Sequence, residues 1–160
     1  MGAAFFYHLT RTPLENTLSM LLGKSLAAGW RVAVRGCAAE RMVWLDHQLW
    51  QGASDDFLPH GLAGGVHDAA QPVLLTTTKD MANAASCLMA VDGADVAPEE
   101  VQRLERVCVL FDGNSVTSLD AARGQWKALT DAGCSAQYWS EASGRWEKTV
   151  SYTHLRAHET

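Results

Sequence analysis

The chain has 160 residues, 48% of them apolar and 19% charged, with a formal net charge of −5. That length suits one domain with a real core. The acidic balance argues against a general nucleic-acid binder, because such domains are usually basic. Any anionic ligand must be met by a local patch. Cys37, Cys87, Cys108 and Cys134 form no CxxC pair and read as reduced small hydrophobes of a cytoplasmic protein. No apolar run reaches transmembrane length, and Phe5-Phe6-Tyr7 is too short and lacks a basic flank for a signal peptide. A membrane is not expected as a partner.

In chain order, Ala3–Leu9 reads as a strand with Phe5, Tyr7 and Leu9 on one side and Phe6 and His8 on the other. Thr12-Pro13-Leu14-Glu15 has capping-box spacing and predicts a helix with Pro13 at N1, running to about Ala28 and stopped by Gly29. Trp30–Arg35 is the next strand and Glu40–Leu49 the next helix. A Gly- and Asp-rich loop is predicted from Trp50 to Ala70. Pro72–Thr77 and Cys87–Val91 read as strands, Pro98–Arg106 as a helix and Val107–Phe111 as a strand. Asp112-Gly113-Asn114 is turn chemistry. Ser115 is a candidate N-cap for a helix with Leu119, Ala122, Trp126 and Leu129 as its buried stripe. Gly133 ends that helix before a last strand, Cys134–Trp139. Val150–Thr160 looks like a translated sequencing adapter, so the expectation is one native domain over residues 1–149 and a non-native tail over 150–160.

Strands that alternate with helices predict an α/β fold: a three-layer, open, mostly parallel sheet. The motifs for enzymatic chemistry fail. Gly23-Lys24-Ser25 resembles the end of a phosphate-binding loop, but the Gly needed five residues earlier is Leu18 and the tripeptide falls inside a helix. Gly61–Gly65 could cradle an anion, yet it neither follows a predicted strand nor opens a strong helix. His8, His47, His60 and His67 lack metal-ligand spacing, and no carboxylate cluster or GxSxG turn is present. No cofactor and no metal is expected.

Two stretches remain. Arg123 and Lys127 stand one turn apart beside Trp126, which the helical spacing places at the border of the buried stripe. Two cations beside an aromatic suit a carboxylate that arrives with an apolar side chain. In the loop, Trp50 and Phe57 are large apolar groups beside the rigid Pro59, a composition suited to an interface.

Read together, the pieces resemble the chi subunit family of bacterial DNA polymerase III. The residues that carry the resemblance are Phe6-Tyr7 with Leu9, Gly29 with Arg31–Val34, and Leu45-Asp46 with Leu49-Trp50. Further along come Phe57-Leu58-Pro59-His60, Leu62-Ala63-Gly64 and Pro72-Val73. Ala122-Arg123 with Trp126-Lys127 and Gly133 complete the set. The resemblance implies a Rossmann-like fold without a phosphate-binding loop and a subunit that is not catalytic by itself. It further implies a tether between the clamp loader and single-stranded DNA-binding protein, whose acidic C-terminal tail would meet Arg123, Trp126 and Lys127. Trp50, Phe57, Pro59 and His60 would face the psi subunit or another clamp-loader or helicase partner. The rival expectation is a small cytoplasmic α/β enzyme with a site in the Gly61–Gly65 loop.

Overall fold

The computed structural model describes residues 3–10, 13–51, 60–64, 68–78, 83–140 and 147–149, with the side chains of 50, 51 and 147–149 outside the description. Its elements are β1 (Ala3–Leu9), α1 (Leu14–Ala27), β2 (Val32–Arg35), α2 (Ala39–Gln51), β3 (His60–Leu62), β4 (Val73–Thr76), β5 (Cys87–Ala90), α3 (Pro98–Arg103), β6 (Arg106–Asp112), α4 (Val116–Asp131), β7 (Ala136–Ser140) and β8 (Glu147–Thr149). A 3-10 turn covers Asp68–Ala70.

The strands form one sheet in the order β3-β4-β2-β5-β6-β1-β7-β8. Every described neighbouring pair is parallel except β7 with β8. A parallel sheet needs helices on both faces, so its strands are apolar throughout. β2, β4 and β5 are buried at every position.

Alternation along each strand sorts side chains between two cores. Tyr7, Leu9, Val34, Met89 and Leu110 pack with Leu18 and Leu22 of α1 and Met42 and Leu45 of α2. Phe6, Leu88, Val109 and Phe111 pack with Val101 of α3 and Ala122, Trp126 and Leu129 of α4. The result is the three-layer arrangement that the alternation of strands and helices predicts.

Helix ends follow the same local logic. Gly29 has φ +85 and Gly133 φ +87, the left-handed conformation that glycine adopts without a Cβ penalty. Beyond each, the chain folds back: Trp30 N–H donates to the Ser25 carbonyl at 3.1 Å and Cys134 N–H to the Leu129 carbonyl at 3.0 Å. Both are Schellman closures. At the start of α4, the Ser115 hydroxyl accepts from Ser118 N–H at 3.3 Å, as its cap position predicts.

Three expectations are corrected. Pro13 lies one residue before the first turn of α1, not at N1, and Thr12 is outside the described residues. The stretch predicted as loop contains β3, which pairs with β4 from His60↔Val73 to Leu62↔Leu75. A three-residue edge strand is too short to show alternation in sequence. α3 ends at Arg103, because Arg106 already pairs across to Ala3 in β6.

Candidate functional site

β1 and β6 lie side by side, but the chain leaves β1 toward β2 and leaves β6 toward β7, in opposite directions along the sheet. Their carboxyl ends therefore mark a topological switch point, where open α/β folds bind ligands. A crevice of about 450 Å³ sits there, lined by Thr10, Glu15, Arg41, Asp92, Asp112 and Asn114 among others. Among the described lining residues the one basic side chain is Arg41, whose Nε donates to Asp92 at 3.0 Å. The turn after β6 clamps onto β1: Gly113 N–H donates to the Leu9 carbonyl at 2.7 Å. Asn114 Nδ2 donates to the Thr10 carbonyl at 3.2 Å. A Cβ at Gly113 would stand 2.9 Å from that Leu9 carbonyl and closer still to the His8 ring. The closed turn and three carboxylates make the crevice unfit for a phosphate.

Gly23-Lys24-Ser25 lies in α1, where the Ser25 hydroxyl donates to the Leu21 carbonyl at 2.9 Å. In the described part of Gly61–Gly65, the amides of Ala63 and Gly64 are already taken. Ala63 N–H donates to the Leu75 carbonyl at 2.8 Å. Gly64 N–H donates to Asp68 Oδ2 at 2.9 Å. Among the described residues no group of three or more His, Cys, Asp or Glu is placed to hold a metal ion. Nor is any described helix long and apolar enough to cross a membrane.

On α4 the structure separates the three residues expected together. Arg123 is half-buried, and its Nη1 donates to Asp120 one turn earlier at 2.8 Å. Its buried Nε–H has no acceptor among the described residues. Lys127 is exposed on the next turn. Trp126 is not at the border of the stripe. Only 3% of it is exposed, its ring meeting Phe6 edge-on at 5.1 Å and Tyr138 at 6.4 Å. Its place in the series Leu119, Ala122, Trp126, Leu129 puts it inside the buried stripe, where the wide indole reaches the sheet.

At the other expected surface, Phe57, Pro59 and the side chain of Trp50 lie outside the described residues. His60 is 5% exposed, with Nε2 at 3.2 Å from Asp46 Oδ1 and 3.3 Å from the Asp46 carbonyl. It ties β3 to α2 from behind the surface. The sequence reading overlooked Arg106, whose guanidinium lies 4.3 Å over the Phe5 ring and 5.2 Å from the Trp30 ring. Arg106 read as the last residue of a helix, whereas it opens β6.

These features define a small Rossmann-like α/β domain that has the nucleotide-binding architecture without its phosphate loop. The sequence model of the family described as DNA polymerase III chi subunit, HolC, matches residues 1–137, and the chain belongs to that family. It is thus an accessory subunit of a replicative DNA polymerase. A search of curated proteins returns no match.

Proposed function

We propose that the protein is a non-catalytic tether of the cytoplasmic replication machinery. It captures the acidic C-terminal tail of single-stranded DNA-binding protein on α4 and holds the clamp loader near the template. The observation that carries this reading is the Arg123 guanidinium. It is half-buried, with one edge on Asp120 and an Nε–H that no described group accepts. A guanidinium held in this way can grip a terminal carboxylate through parallel N–H bonds. Lys127 adds charge one turn along, and Trp126 anchors the helix from beneath.

The second contact, to the psi subunit or another clamp-loader or helicase partner, falls on Trp50, Phe57 and Pro59, with His60 bracing the strand that follows. Titration with a tail peptide, free and C-terminally amidated, tests the first contact. Nucleotide or phosphoester turnover without peptide binding would favour an enzyme at Gly61–Gly65 instead.

A further inference from the structure

A second cavity, of about 430 Å³, opens on the face of the sheet that α1 covers, beside β1, β6 and β7. Its volume falls in the range of small-ligand sites. Phe5, Tyr7, Trp30 and Trp139 supply four aromatic rings to its wall, and Met20 at its lining is 39% exposed. Tyr7 and Trp139 lie nearly parallel, 17° apart at 6.3 Å. Among the described residues, the charged ones in the lining are Lys24 and Arg106, with no Asp or Glu, in a chain of net charge −5. Neither cation makes an ion pair among the described residues.

We propose that this cavity binds a nucleotide unit, with the base stacked on the aromatic wall and the phosphate held by Arg106 and Lys24. Arg106 lies with its face on Phe5 and Trp30, which leaves its N–H edge for an anion. Aromatic faces with flanking cations are the combination that holds bases without reading their sequence. A peptide fits less well. β1 is hydrogen-bonded on both sides, to β6 and β7, so its backbone has no free edge for an added strand. Recognition must go through side-chain faces. Gly23-Lys24-Ser25 thus contributes a cation from the lip of α1 and not a phosphate loop.

The nucleotide can be free or part of a single strand, and the test separates the two. The whole chain is titrated with dAMP, with inorganic phosphate and with an oligothymidylate of about eight nucleotides, a usual single-strand site size. Indole N–H signals are followed by NMR. Saturable binding should move the Trp30 and Trp139 signals and leave Trp126 in place. Phosphate alone should bind more weakly than dAMP. Lys24→Glu, on an exposed position, should weaken binding about fivefold, and Arg106→Met, which keeps the apolar stem, about tenfold. An oligonucleotide that binds far tighter than dAMP, with a steep salt dependence, identifies a single strand as the ligand; equal affinities identify the free nucleotide. Arg123→Ala should leave this binding unchanged, so it stands or falls apart from the tail site. The proposal is overturned if neither nucleotide nor oligonucleotide binds, or if binding moves neither indole. It is equally overturned if both variants bind like wild type, or if only an acidic aromatic peptide moves these signals.

Discussion

Arg35 and Glu100 form a two-pronged ion pair inside the protein. Nη1 donates to Oε1 at 2.9 Å and Nη2 to Oε2 at 2.6 Å, with the two side chains 4% and 10% exposed. Arg35 ends the buried strand β2, and Glu100 stands in the first turn of α3. Two further donors are used: Nη1 reaches the Asp95 carbonyl at 2.9 Å and Nε the Thr78 carbonyl at 3.2 Å. Glu100 Oε1 in turn accepts from Ala97 N–H at 3.0 Å. The pair thus fastens the loops after β4 and β5 and the start of α3 to one strand end.

A buried charge left alone costs more than the pair contributes. Glu100→Ala should therefore destabilise the fold by about 3–5 kcal/mol, read from urea unfolding. Replacing both residues together, Arg35→Met with Glu100→Leu, should recover much of that loss. A double variant as unstable as the two single losses summed would show that each side chain acts independently.

Trp126 gives a second test, because its burial separates stability from binding. Trp126→Ala should cost about 3–5 kcal/mol, as a large aromatic is removed from a core formed with Phe6 and Tyr138. Trp126→Phe should cost less. While folded, it should bind tail peptide much as wild type, since the indole supports α4 from below. Loss of peptide binding by a Trp126→Phe protein that is still folded at the assay temperature would put the ring in the peptide's path.

How far the sequence carried the reading depends on the range of the signal. Gly29 and Gly133 were legible because a left-handed helix stop is a local demand. So were Ser115 as a cap and the two-sided alternation of β1. Period, however, gives a face without saying how deep it lies. Trp126 therefore read as a border residue when Phe6 and Tyr138 enclose it. Phe5, Trp30 and Trp139 read as ordinary strand residues, when α1 covers only part of their face. β3 was invisible because three residues pair only through β4. The partner of Arg35 is 65 residues away, and no local pattern announces it.

The core tyrosines set a limit on the alkaline side. Burial pushes the Tyr138 phenol up to about 12, and burial also pushes Tyr7 well above its ordinary value, with Cys108 adding to the effect. Both phenols are neutral in the fold and ionise more readily when it opens. Their contribution is therefore complete below the unfolded value near 10 and is lost as pH rises through the folded values. For Tyr138 that window runs from about 10 to about 12. Stability measured against pH should be insensitive to these groups up to about 10 and fall above it. Tyr138→Phe should flatten part of that fall. An unchanged slope in the variant would remove Tyr138 from the account.

Asp120 offers the sharpest test of the tail site. Its carboxylate is 63% exposed and already occupies Arg123 at 2.8 Å, so an incoming peptide carboxylate must share or displace it. Asp120→Asn removes a like charge from the path of an acidic ligand and frees the guanidinium. The variant should bind tail peptide tighter by up to about fivefold, within the range of an exposed pair. Arg123→Ala should weaken binding by on the order of 2 kcal/mol, and Arg123→Lys should recover only part, because an ammonium cannot make the parallel bonds. Lys127→Ala should cost about 1 kcal/mol or less, since its charge is screened. Salt should weaken the wild type, and more weakly the Lys127→Ala protein. Amidating the peptide should mimic Arg123→Ala, and the two changes together should be less than additive. If Asp120→Asn, Arg123→Ala and amidation each leave the titration curve unchanged, the tail does not bind on α4.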